Sequence, residues 1–140
     1  MQYTTKSEKE LIKLGKKLAK DFKAGDIVLL KGNLGAGKTT ITKGMAKYFN
    51  IKQNITSPTF SLMNIYEVKN PEIKSLIHID TYRLKDENDL IEIGVEDYLG
   101  TPNTICIIEW PEKIKSLLKN KQVIKIKIEH LDEGRKIMIN

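Results

Sequence analysis

Gly32-Asn33-Leu34-Gly35-Ala36-Gly37-Lys38-Thr39-Thr40 is the stretch on which the reading of this chain turns. Its glycines, lysine and threonine fall at the spacing G-x-x-x-x-G-K-[ST]. An apolar run, Ile27-Val28-Leu29-Leu30, leads in and reads as a strand. The residues after Lys38 read as a helix to about Tyr48 that buries Ile41, Met45 and Tyr48. Between a strand and a helix, such glycines let the backbone curl until several N–H groups point at one anion. The helix start adds the positive end of its dipole. We therefore expect residues 32–40 to cradle a nucleoside triphosphate. Lys38 would reach its β- and γ-phosphates and the Thr39 hydroxyl would ligate Mg²⁺.

Around this loop the chain reads as one domain. Its 140 residues leave room for one well-buried core. Ser7 and Glu10 form a capping box, and Leu11, Leu14, Leu18 and Phe22 recur at helical spacing, which predicts a helix over 8–23. Strands are expected at 60–68 and 75–80, separated by Asn70-Pro71. Asp86 reads as the cap of a short helix through Leu90 and Ile93, with Gly94 as its interruption. Thr104–Glu109 is a nearly all-apolar strand of the doubly buried kind. Pro111 starts a helix expected to end near Asn120. Ile124, Ile126 and Ile128 alternate with charged residues, as in a strand with one wet face, and Ile137 and Ile139 give a last strand. The order predicts a single α/β P-loop NTPase-like domain over 1–140, with a mixed, partly parallel sheet flanked by helices.

A phosphate loop needs an acid at the end of a neighbouring buried strand. Glu109, after Ile105-Cys106-Ile107-Ile108, is placed to serve the metal; by itself it would also read as an ordinary strand-end acid. In Leu76-Ile77-His78-Ile79-Asp80 the alternation sets Leu76, His78 and Asp80 on one face. Asp80 is then either a group that binds Mg²⁺ through water or positions the attacking water, or a cap or turn residue before Thr81, and His78 alone reads as structural. Thr56-Ser57-Pro58-Thr59 is either a γ-phosphate-sensing segment or a plain turn. Trp110, the one tryptophan, either anchors the strand end or lies close enough to report nucleotide.

The net charge of +6 raises the question of nucleic acid. Of 24 basic residues, however, only Arg83 and Arg135 are arginines, whereas dedicated nucleic-acid readers cluster charge and use arginine forks. Charge alone decides nothing. The lone Cys106 excludes an internal disulfide and reads as a small buried hydrophobe. Without a basic-then-apolar leader or a stretch of membrane-spanning length, a cytoplasmic protein without membrane attachment is expected.

Further along, Ser57-Pro58-Thr59-Phe60-Ser61-Leu62 with Tyr66, His78-Ile79-Asp80-Thr81-Tyr82-Arg83-Leu84, Glu92, Gly94 and Tyr98-Leu99, Ile108-Glu109-Trp110-Pro111-Glu112, and Gly134-Arg135 follow the loop in a fixed order. In that order they resemble the TsaE family (formerly YjeE), small bacterial ATPases of tRNA threonylcarbamoyladenosine synthesis. The resemblance implies ATP and Mg²⁺ as cofactors and two larger partners, TsaB and TsaD, with tRNA met indirectly through their complex. It implies that Lys38 binds phosphate, that Thr39 and Glu109 serve Mg²⁺, and that Asp80 supports hydrolysis. Thr59 would belong to the nucleotide-responsive segment, and Trp110 would lie near the site. Two other readings stay open: a non-hydrolysing nucleotide-dependent interaction subunit, and a small-molecule kinase, for which two arginines and little spare length are a poor endowment. The guanine-selecting pattern N-K-x-D is absent.

Overall fold

The structure, a computed structural model, describes residues 1–58 and 62–140. Seven strands form one mixed sheet: β1 (Gln2–Thr5), β2 (Ile27–Lys31), β3 (Met63–Glu67), β4 (Ser75–Asp80), β5 (Thr104–Glu109), β6 (Ile124–His130) and β7 (Arg135–Ile139). Their order across the sheet is β1-β7-β6-β2-β5-β4-β3. The middle strands β6, β2, β5 and β4 run parallel. Outside them, β3 pairs antiparallel with β4, β7 antiparallel with β6, and β1 antiparallel with β7.

Helices cover both faces because β2, β4 and β5 are buried on both. Helices α1 (Glu8–Ala19) and α2 (Lys38–Tyr48) cover one face, where Leu11, Leu14, Ile41 and Met45 pack on Val28, Leu30, Ile105 and Ile107. The other face carries α3 (Asn88–Glu92), α4 (Lys115–Leu118) and two 3₁₀ turns, with Leu90, Val95 and Ile114 over Ile27, Leu29, Ile77 and Ile108. Full burial of each such aliphatic side chain stabilises by roughly 1.5–3 kcal/mol, enough to fix where β4 and β5 end. Those ends carry the acids.

Helices α1 and α2 meet through glycines. A Cβ at Gly44 would lie 2.0 Å from the Ile12 carbonyl oxygen, and one at Gly15 would lie 2.3 Å from that of Ile41. The backbones approach so closely that neither position admits a side chain.

Several expected boundaries shift. Ser7 caps α1, its Oγ accepting from the Glu10 N–H at 3.1 Å, while the Glu10 carboxylate accepts from the Lys6 N–H and not from that of Ser7, so half of the capping box forms. Yet α1 stops at Ala19, and Leu18 and Phe22 pack at the margin of the core. Tyr48 is exposed, and its neighbour Phe49 takes the buried place. The segment after Pro111 is a 3₁₀ turn followed by four α-helical residues, ending at Leu118. Asp86 caps α3 as expected: its carboxylate accepts from the Asn88 N–H at 2.9 Å, and Glu87 between them already has helical backbone angles. The strand expected at 60–68 is β3, Met63–Glu67, and residues 60 and 61 lie outside the described residues. Strand β1 went unread: four residues without strict alternation carry little periodic signal, and its partner is the distant β7. Cys106 is buried, and burial pushes its thiol up to about 11.

Candidate functional site

The loop leaves β2 at Lys31 and enters α2 at Lys38. Gly37, the N-cap of α2, has φ +114°, which glycine alone adopts without strain. A Cβ on Gly32 would come within 2.7 Å of the Ile128 carbonyl oxygen, so the loop presses onto β6. The opening N–H groups of α2 have no partner within the helix and aim out of its first turn. Lys38 folds back over the loop. Its Nζ donates to the Gly32 carbonyl and, at 3.3 Å, to that of Asn33, and lies 4.0 Å from the Trp110 ring centre. Burial holds this ammonium below the ordinary lysine range, while Glu109, Asp80 and Glu112 act in the opposite sense.

The parallel pairing of β4 and β5 sets Asp80 directly opposite Glu109. Both acids therefore leave the sheet at one edge, beside Lys38. Asp80 Oδ1 accepts from the Tyr82 N–H at 3.0 Å, and Oδ2 accepts from the Ser57 hydroxyl. Glu109, only 3% exposed, meets His78 Nε2 at 2.6 Å through Oε2. The Thr81 hydroxyl donates to the Glu109 carbonyl at 3.0 Å and to the Trp110 carbonyl, clamping the turn that follows β5. Trp110, with φ +60°, packs on Tyr82 at 4.9 Å between ring centres.

A cleft of about 470 Å³ lies over these groups. Of the expected site residues, Leu34, Gly35, Gly37, Lys38, Thr39, Thr40, Asp80, Glu109 and Trp110 line it. Gly32, Asn33 and Ala36 shape the loop from behind and do not line the cleft; Thr59 lies outside the described residues. Across the loop a second cavity of about 340 Å³ shares Gly35, Gly37 and Thr40 and is closed by Lys6, Ser7 and Arg135. Two cavities joined by one anion-directed loop suit an elongated ligand whose phosphate end crosses the loop.

Three residues gain parts the sequence did not assign. Arg135 Nε donates to the Ala36 carbonyl at 2.8 Å and Nη2 to that of Gly35 at 3.4 Å, bracing the loop from β7. Ser57 holds Asp80, and His78 holds Glu109. The alternation of β4 already placed His78 on the face of Asp80, but only the pairing of β4 with β5 supplies its partner.

The family model "Threonylcarbamoyl adenosine biosynthesis protein TsaE" matches residues 5–137. The chain is 40% identical over 136 residues to the tRNA threonylcarbamoyladenosine biosynthesis protein TsaE of Rickettsia conorii, covering 96% of this chain and 74% of that protein. It is 36% identical to the Haemophilus influenzae TsaE protein, covering 93% and 82%. The crystal structure of Bacillus subtilis YdiB superposes with a TM-score of 0.79 at 28% identity, covering 99% of this chain and 83% of that one. With sequence, family model and fold in agreement over nearly the whole chain, it belongs to the TsaE family of tRNA threonylcarbamoyladenosine biosynthesis proteins.

Proposed function

We propose that this protein is a Mg²⁺-dependent ATPase that supports tRNA threonylcarbamoyladenosine modification by acting on a TsaB–TsaD complex, slowly alone and faster with these partners. The observation that carries the reading is the convergence of Lys38, Thr39, Asp80 and Glu109 on one cleft at the head of α2.

The residues present suit both cofactors. The loop has no room for a Cβ at Gly32, and Gly37 holds a positive φ, as a backbone cradle for phosphates requires. Among the described residues, no group of three His, Cys, Asp or Glu could hold a metal by itself. That fits Mg²⁺, which favours one or two protein oxygens together with phosphate oxygens. Thr39 and Glu109 would hold it, and when bound it screens charge on the phosphates.

Lys38 then exchanges the Gly32 and Asn33 carbonyls for phosphate oxygens. Asp80, steadied by Ser57 and the Tyr82 N–H, orients the attacking water and takes up its proton. The cavity beyond Gly35 and Thr40 has room for base and sugar. Arg83, exposed at the cleft wall, is the one arginine available there to a transferring phosphate among the described residues. A single exposed cation fits slow hydrolysis by the isolated chain.

The test is Mg²⁺-dependent ATP hydrolysis by the purified protein, alone and with TsaB and TsaD. Stimulation by the partners that is lost in Lys38→Ala supports the proposal. Nucleotide binding without turnover in either condition would replace it with the interaction-subunit reading.

A further inference from the structure

We propose that His78 is a positioning residue for Glu109, holding one carboxylate oxygen so that the other is presented to the cleft. The inference rests on the reading of Glu109 as the acid that serves the metal.

Glutamate at a strand end has three rotatable side-chain bonds and no intrinsic preference for the cleft. Here it is held. His78 lies two residues before the end of β4 and pairs in register with Ile107, two residues before Glu109 on β5. Side chains two apart on a strand share a face, so the imidazole lies alongside the carboxylate. His78 is fully buried, and its Nε2 is 2.6 Å from Glu109 Oε2. Glu109 Oε1 makes no hydrogen bond among the described residues, and the side chain lines the cleft.

Core packing does not account for a histidine here. Its neighbours Leu76, Ile77 and Ile79 are fully buried and apolar, and an aliphatic residue would fill the place without a polar penalty. The second ring nitrogen, Nδ1, is buried without a hydrogen-bond partner among the described residues. A histidine retained to satisfy a polar core would have both nitrogens matched. This one is matched only toward Glu109. Since a carboxylate accepts, a ring hydrogen sits on Nε2 and is directed at the acid. The two acids of the site are thus fixed by different means: Asp80 by a backbone N–H and a serine hydroxyl, Glu109 by an imidazole.

The experiment compares the affinity for a non-hydrolysable ATP analogue with and without MgCl₂, by calorimetry, in wild type, His78→Leu, His78→Gln and Glu109→Gln. The ratio of the two affinities is the metal-linked gain. His78→Leu is expected to lower that gain about 10- to 100-fold, the usual effect of removing a group that orients a metal ligand. Its metal-free affinity should stay at the wild-type value, and His78→Gln, which keeps an N–H donor, should restore part of the loss. An unchanged gain in His78→Leu, where Glu109→Gln abolishes it, overturns the positioning role and leaves the metal role of Glu109 intact. An unchanged gain in Glu109→Gln removes the metal role itself, and the positioning proposal falls with it. Should His78→Leu not fold, nitrogen NMR of the wild-type imidazole decides: hydrogen on Nε2 supports the proposal, and an Nε2 without hydrogen overturns it.

Discussion

The Lys38 ammonium lies 4.0 Å from the centre of the Trp110 ring, while it also donates to the Asn33 carbonyl. A cation over an indole face is worth about 0.5–2 kcal/mol, comparable to one hydrogen bond. Any phosphate that recruits Lys38 must therefore draw it from the ring. ATP is expected to change the intrinsic fluorescence of Trp110, the only tryptophan, and the change should vanish in Lys38→Ala. The same variant should weaken ATP binding at least about tenfold, since hydrogen bonds from a charged donor contribute about 1.5–3 kcal/mol. Unaltered affinity would remove Lys38 from the phosphate site.

Lys38 also has a signature in the nucleotide-free protein. Burial holds its folded-state pKa below the ordinary value of 10.5, so the unfolded chain binds the extra proton between those two values. The penalty is present in full below the folded pKa and is relieved as pH rises through it towards 10.5. Lys38→Met should therefore be no less stable than wild type at neutral pH, and its advantage should shrink at alkaline pH. Thermal unfolding of both proteins across that range gives the answer, and a pH-independent difference would contradict it.

Asp80→Asn keeps the size of the side chain and its bond from the Tyr82 N–H. ATP affinity should change little, while hydrolysis falls by roughly 10²–10⁴-fold, the range for losing a positioned base. Single-turnover kinetics separate the two quantities. Hydrolysis at the wild-type rate would make Asp80 a turn residue only.

Gly44→Ala sets two effects of opposite sign against each other. Helix propensity favours alanine by about 1 kcal/mol, whereas the new Cβ would lie 2.0 Å from the Ile12 carbonyl oxygen. Overpacking against backbone typically costs about 1–3 kcal/mol or more, so net destabilisation is expected. A lowered urea midpoint with unchanged slope would show it; a raised midpoint would mean that α1 and α2 can move apart at little cost.

Arg135→Lys keeps the charge but loses the planar fork that reaches both Ala36 and Gly35. ATP affinity should fall several-fold with little change in melting temperature, because the bonds shape the loop and not the core. Equal affinities in the two proteins would show that the loop keeps its shape without the brace.

What could be read beforehand was local. The loop spacing, the Ser7 cap and the all-apolar strand ending in Glu109 each lie within a few consecutive residues, and each stands where it was expected. The neighbours of those features could not be read in this way. That Asp80 lies opposite Glu109, or that His78 touches it, follows from β4 pairing with β5 in one register, which no spacing along the chain encodes. Gly15 and Gly44 look like poor helix residues until the two helices are laid together. Tyr48 was assigned to the core by periodicity, but α2 ends there and Phe49 enters the core in its place.

The pairing of β1 with β7 joins strands that lie far apart in the chain, at Gln2 and Met138. On the ribosome, β1 and the phosphate loop emerge early and must wait, one for an edge to join and the other for Arg135, which is 99 positions from Ala36. A nascent chain that already displays the whole nucleotide motif still lacks the segment that closes the sheet and braces the loop. Competence to hold a ligand would then arrive abruptly, once β7 has been made and can pair.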